Sequence, residues 1–235
     1  MIQIENLHKK FQKNVVLSGV NLEIQNKGIY AILGPNGSGK TTLIKSILGM
    51  VIPNKGTVSI NGKSIKGDYH YREKIDYLPQ IANFPSNLKV KELVEMIKDL
   101  RGNAKRDKDL ISLFGAEKFL DKKVGNLSGG MKQKVNVILA FMFDSPIIIL
   151  DEPTTGLHSV SLIHLKDLIR NERNAGKTIL ITSHIMSFVD EIADEIVFLL
   201  EGDIHFKGSV KALKKQTNEQ NLEAAIAKLL IETNV

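Results

Sequence analysis

The chain contains no cysteine. Disulfide frameworks, thiolate metal sites and cysteine nucleophiles are therefore excluded. Long apolar runs are missing as well. The longest, residues 137–143, falls far short of the roughly 18 residues that a membrane span needs. The first residues, Met1-Ile2-Gln3-Ile4-Glu5, carry neither the basic region nor the apolar stretch of a secretory signal. A cytoplasmic chain is the expectation. Arginine is scarce, standing only at 72, 101, 106, 170 and 173, so the net charge of +6 comes overwhelmingly from lysine. Nucleic-acid readers favour arginine forks in a clustered basic stripe. Here the lysines are scattered, with only short pairs such as Lys122-Lys123, so a solvated surface is the better reading and no nucleic-acid partner is expected. Attraction to an anionic membrane surface stays compatible with this charge.

What is present reads as an ordinary globular protein. Apolar residues make up 43% of the chain and charged ones 25%, which excludes a disordered polymer. Ile2 and Ile4, then Val16, Val20, Leu22 and Ile24, alternate as in strands, and Thr57-Val58-Ser59-Ile60 leads into an Asn61-Gly62 hairpin turn. Residues 29–33 form a short apolar strand running into a glycine-rich loop. A helix is expected over 40–50. The middle changes period. Val90, Leu93, Val94, Ile97 and Leu100 recur at helical spacing, a second helix is expected over 107–114, and a third starts near Ser128. Residues 147–150 and 178–181 then read as buried parallel strands, separated by a helix over about 160–174. The tail from 209 to 232 is helical in pattern, with Leu222, Ile226, Leu229 and Leu230 as its apolar stripe.

The glycine-rich loop, Gly34-Pro35-Asn36-Gly37-Ser38-Gly39-Lys40-Thr41-Thr42, fulfils G-x-x-x-x-G-K-[ST] between a strand and a helix. Glycines let backbone N–H groups converge on phosphate oxygens, and the helix N-terminus adds its dipole. Lys40 would reach the β- and γ-phosphates, and the Thr41 hydroxyl would ligate Mg²⁺. Downstream, an apolar strand delivers Asp151 and Glu152. Asp151 suits Mg²⁺, and Glu152 suits polarisation of an attacking water. Between them lies Leu127-Ser128-Gly129-Gly130-Met131-Lys132-Gln133, a second helix start with a hydroxyl and flexible backbone suited to anions. A serine cap followed by two loop glycines is the ordinary alternative.

Taken together, these motifs resemble those of the ATP-binding subunits of ABC transporters, in order over about residues 2–208. The resemblance implies an α/β fold: a P-loop NTPase core of mainly parallel sheet, with an N-terminal antiparallel β subdomain and an inserted α-helical subdomain at about 86–145. Residues 209–235 would be a C-terminal helical extension. It implies ATP and Mg²⁺ as cofactors. Ser128, Gly129 and Gly130 would form the signature that touches nucleotide. Gln80, in Tyr77-Leu78-Pro79-Gln80, resembles the glutamine that contacts Mg²⁺ and the attacking water. His184 resembles the histidine that contacts the γ-phosphate, and Phe11 the aromatic that stacks on adenine, although Phe11 could simply pack.

One chain carries one phosphate loop and one signature. The resemblance therefore implies a second ATPase subunit, most simply a homodimer, and an integral membrane permease on a separate chain. The ATPase would sit on the inner face of the membrane through that permease. The permease groove is expected near Gln80 and Asn83-Phe84-Pro85-Ser86. Within the family, the chain is most similar to ATPases of ABC-2-type systems. Residues 77–85 and 141–146 look most like the copper-processing (Nos) ATPase of nitrous oxide reductase maturation. Direct copper binding is not expected, since no cysteine and no methionine or histidine cluster is present.

One position departs from the family. Its loop after the acidic pair normally holds an aspartate that communicates between paired sites, whereas here the chain reads Gly156-Leu157-His158. A histidine does not supply a fixed negative acceptor. A catalytically weakened or regulatory ATPase, or a soluble ABC ATPase without a transporter, are thus the alternatives to an energising transport subunit.

Overall fold

The computed structural model describes residues 1–25, 27–102 and 104–232, so residues 233–235 of the expected C-terminal extension lie outside it. The chain divides into two compact units, Met1–Arg72 with Thr178–Val235, and Glu73–Lys177.

The first unit opens with β1 (Ile2–Phe11), β2 (Asn14–Ile24), β3 (Gly28–Leu33), α1 (Lys40–Ile47), β4 (Lys55–Ile60) and β5 (Lys63–Ser64). β2, β1, β4 and β5 make an antiparallel sheet in that order. Ile2, Ile4, Val20, Leu22 and Ile24, from the alternating set read in the sequence, are all buried on one face of it. Val16 is only half-buried and Leu17 is buried in its place, because the β1–β2 register shifts between Val20 and Ser18. Asn61 and Gly62 both take positive φ, as a tight β4–β5 hairpin requires. Helix α1 stops at Ile47 instead of running to residue 50. Its last carbonyls are taken by side chains, Tyr71 Oη donating to Ile47 O and the Arg72 guanidinium to Leu48 O and Gly49 O.

The second unit contains β6 (Ile75–Leu78), α2 (Val90–Arg101), α3 (Asp107–Leu113), α4 (Gly129–Phe141), β7 (Ile147–Asp151) and α5 (Ser159–Asn174). β6 and β7 pair in parallel, with Leu78 opposite Leu150. The long connection between them carries α2, α3 and α4. Helix α4 buries an unusually wide face, Val135 through Phe141 without a break, because it runs through the middle of the unit's core.

The chain then returns to the first unit with β8 (Thr178–Thr182), α6 (Met186–Ile192), β9 (Glu195–Leu200), β10 (Asp203–Ser209), α7 (Val210–Thr217) and α8 (Leu222–Glu232). β3 lies between β8 and β9, parallel to both, and its six residues are all buried. Strands covered on both faces are continuous apolar runs, which is the pattern that 29–33 and 178–181 show. The tail is two helices, α7 and α8, separated by Asn218 in a left-handed conformation. Leu222, Ile226 and Leu229 are its buried stripe. The α/β class with mainly parallel pairing and an antiparallel N-terminal sheet is the one that the motifs implied. No helix among the described residues is long and apolar enough to cross a membrane.

Candidate functional site

In the first unit, β3 and β8 run in register from Gly28 opposite Thr178 to Ile32 opposite Thr182. Their C-terminal ends therefore deliver the phosphate loop and the Ser183-His184 pair side by side. Open parallel sheets bind ligands at such carboxyl ends. Gly34 leaves β3 with φ +150, and a β-carbon on it would lie 2.0 Å from Leu199 O and 2.6 Å from Ser38 Oγ. Only glycine fits there, so the loop backbone can turn tightly against β9. Lys40 opens α1 and folds back over the loop, its Nζ donating to Gly34 O at 2.7 Å and Pro35 O at 2.9 Å. Thr41 and Thr42 follow it in the first turn, half-exposed.

Two observations fit this loop to a polyphosphate. The buried Ser38 hydroxyl has no hydrogen-bond partner among the described residues, and a buried orphan donor is uncommon unless a ligand satisfies it. Lys40 and the start of α1 add an ammonium and a helix dipole on the same side. Phe11 sits at the end of β1, 46% exposed, with Lys9 Nζ 4.8 Å from its ring centroid. It is an open aromatic face, not a core residue.

In the second unit, β6 delivers Pro79 and Gln80 while its parallel neighbour β7 delivers Asp151 and Glu152. Gln80 is exposed, whereas both acids are buried. Glu152 has φ +51, a left-handed conformation that costs a non-glycine residue on the order of 1–3 kcal/mol. The strain turns the chain sharply after β7. At the third residue of β6, burial and then the charge of Asp151 push the Tyr77 hydroxyl up to about 12 from its ordinary 10.0. The residues expected to form the signature, Ser128, Gly129 and Gly130, lie at the start of α4. Ser128 caps that helix, its Oγ accepting from Met131 N at 3.4 Å, so the ordinary capping role is present at the place assigned to the signature. A β-carbon on Gly130 would lie 2.8 Å from Gly156 O and 3.9 Å from His158 Nε2. The signature glycine thus lets its backbone approach the loop that carries His158.

Helix α4 adds two amides to which the sequence assigned no role: Gln133, the last residue of the 127–133 motif, and Asn136 beyond it. The Gln133 amide donates to Pro153 O at 2.7 Å, and the Asn136 amide donates to Pro79 O at 3.0 Å. Both side chains are buried. The available signal was a pair of amides, three apart, in an otherwise apolar helix face.

A family model described as ABC transporter matches residues 17–155, more than half of the chain. Phe11, His158 and His184 lie outside the matched span. The chain is 32% identical over 227 residues to an uncharacterized ABC transporter ATP-binding protein, YhaQ, of Bacillus subtilis, covering 94% of this chain and 76% of that one. It is 33% identical over 218 residues to the Nod factor export ATP-binding protein I of Burkholderia lata, covering 90% and 72%. Among solved structures, the dimeric structure of MJ0796, a bacterial ABC transporter cassette, superposes with a TM-score of 0.82 at 26% identity, covering 89% of this chain and 99% of that one. The chain therefore belongs to the ATP-binding proteins of ABC transporters, and is an ATPase that binds ATP.

Proposed function

We propose that this chain is the energising subunit of an ABC-2-type exporter, working as a head-to-tail pair of copies on a separate membrane permease. The observation that carries the reading is the delivery of chemistry by parallel strand pairs. β3 with β8 presents the phosphate loop and His184, and β6 with β7 presents Gln80 and the two acids. The residues 34–42 hold the triphosphate, with Lys40 on its β- and γ-oxygens. Phe11 stacks on the adenine. Thr41, Gln80 and Asp151 are the residues that would hold Mg²⁺, whose charge would offset that of the phosphates. Glu152 takes the proton of the attacking water, and His184 steadies the γ-phosphate. Ser128, Gly129 and Gly130 serve the nucleotide held by the other copy.

The permease side is supported by a groove of about 360 Å³ lined by Ala82, Asn83, Phe84, Pro85, Val124 and Lys132. Beside it Ile81 is 74% exposed, an apolar side chain of the kind that docking surfaces present. Export is what the relative from Burkholderia lata is named for. A narrower reading, service in copper-enzyme maturation, is favoured by the sequence of residues 77–85 and 141–146. Deleting the gene and measuring copper loading of nitrous oxide reductase tests it.

The deciding experiment compares turnover of wild type and Glu152→Gln, with sizing of the variant in ATP and Mg²⁺ and affinity capture from membranes. Turnover should fall by about 10²–10⁴, as loss of a general base does. The variant should run as a dimer and retain an integral membrane protein. Equal turnover, or a variant that stays monomeric, would sink the reading.

A further inference from the structure

Gln133 and Asn136 lie three apart on one face of α4, so their side chains are neighbours. Each directs an amide N–H to a prolyl carbonyl in a different loop. Pro79, the acceptor for Asn136, immediately precedes Gln80. Pro153, the acceptor for Gln133, immediately follows Glu152. Neither bond is solvent-washed, since Asn136 is 2% exposed and Gln133 8%. Water therefore does not replace either donor readily, and the two loops take their distance from α4 from these amides. The same helix begins at the residues expected to form the signature, where the lack of a side chain on Gly130 lets its backbone pack close to Gly156 O. One rigid element thus touches the strand-end loop that carries Gln80, the one that carries Glu152, and the anion-suited turn at Ser128.

We propose that Gln133 and Asn136 are positioning residues for hydrolysis. Through them α4 keeps Gln80 and Glu152 in register with the signature. When the signature engages nucleotide held by a second copy, the helix seats the residues that act on this copy's own nucleotide. The inference rests on the proposed dimer and on Glu152 as the base. Neither amide contacts nucleotide, and both act through the prolyl carbonyls. A displacement of about 1 Å in a reacting group can cost on the order of 100-fold in rate, so two hydrogen bonds at this place suffice for control.

The test uses the full chain with Gln133→Met and Asn136→Leu, which keep shape and remove the donor. Each should lower kcat by about 10- to 100-fold while KM for ATP and the affinity for a fluorescent ATP analogue stay within about twofold. The Hill coefficient for ATP should fall towards one. Unchanged kcat in both variants, alongside the expected low turnover of Glu152→Gln, overturns the positioning role and leaves the general base intact. Equal turnover of Glu152→Gln and wild type overturns the base instead. Hydrogen exchange on the Glu152→Gln chain supplies a test that needs neither variant to fold. On adding ATP and Mg²⁺, residues 80–86, 153–157 and the start of α4 should gain protection in one concentration-dependent step. Protection confined to the signature would overturn the coupling.

Discussion

Asp76 and Arg101 form an ion pair whose acidic partner is wholly buried, with Arg101 Nη1 2.7 Å from Asp76 Oδ1. The carboxylate also accepts from Ser145 Oγ at 2.9 Å and from Ser145 N at 3.2 Å. The guanidinium stacks 4.2 Å over the Phe143 ring. One carboxylate thus ties the start of β6, the end of α2 and the turn before β7. Replacing it by alanine leaves a half-buried guanidinium and a buried serine without their acceptor. Asp76→Ala should cost about 3 kcal/mol, the low end for a broken buried pair because Arg101 keeps some contact with water. Urea unfolding checks the value, and Asp76→Ala with Arg101→Leu should recover part of it.

Gly34→Ala should weaken nucleotide binding without disturbing the bulk of the fold. The new β-carbon meets Leu199 O, a backbone atom that cannot swing away. Strain of about 1–3 kcal/mol, if it falls on the loop, corresponds to about 5- to 150-fold in ATP affinity. Titration with a fluorescent ATP analogue measures it. Unchanged affinity would mean that the loop relaxes independently of β9.

Tyr77 should stay protonated well into alkali. Desolvation first, then the nearby Asp151 charge, hold its hydroxyl up to about 12, against 10.0 in the unfolded chain. Between those values the unfolded chain releases the proton before the folded one does. Stability therefore falls as pH rises from about 10 to 12, with no contribution below. Tyr77→Phe should flatten that part of the stability–pH curve, and ultraviolet difference titration should show one late phenol missing.

His158→Asp should raise turnover, by about fivefold or more, if the histidine restrains coupling between paired sites. The imidazole borders the signature glycine, so its replacement acts where two copies would meet. Steady-state ATPase assays decide this, and no change would mean that the loop accepts either residue.

The phosphate loop, the acidic pair and the Asn61-Gly62 turn were legible because their geometry is dictated by adjacent residues. Glycine, lysine and hydroxyl order along nine positions fixes the tight loop between β3 and α1 and the return of Lys40 onto it. The partners of Gln133 and Asn136 were not legible, since the acceptors lie 20 and 57 residues away and a pair of helix amides does not say which carbonyls it will meet. Asp76 was hidden for a like reason. A charge inside an apolar strand signals that something neutralises it, but Arg101 is 25 residues distant. The early end of α1 belongs to the same class, because Tyr71 and Arg72 arrive from more than 20 positions downstream to take its carbonyls. Local chemistry survives in sequence, and chemistry assembled by topology does not.

Lys132 lines the groove beside Phe84, and its neighbour on the helix, Gln133, grips the carbonyl next to Glu152. An inhibitor wedged into that groove would leave the phosphate loop alone and would not compete with ATP. With a permease docked on this groove as proposed, it would uncouple turnover from cargo or freeze it, according to which way it tilted α4. Selectivity would also come more readily there, because the groove owes its shape to side chains such as Phe84 and Lys132, whereas the loop at Gly34 owes its shape to backbone packed on Leu199 O.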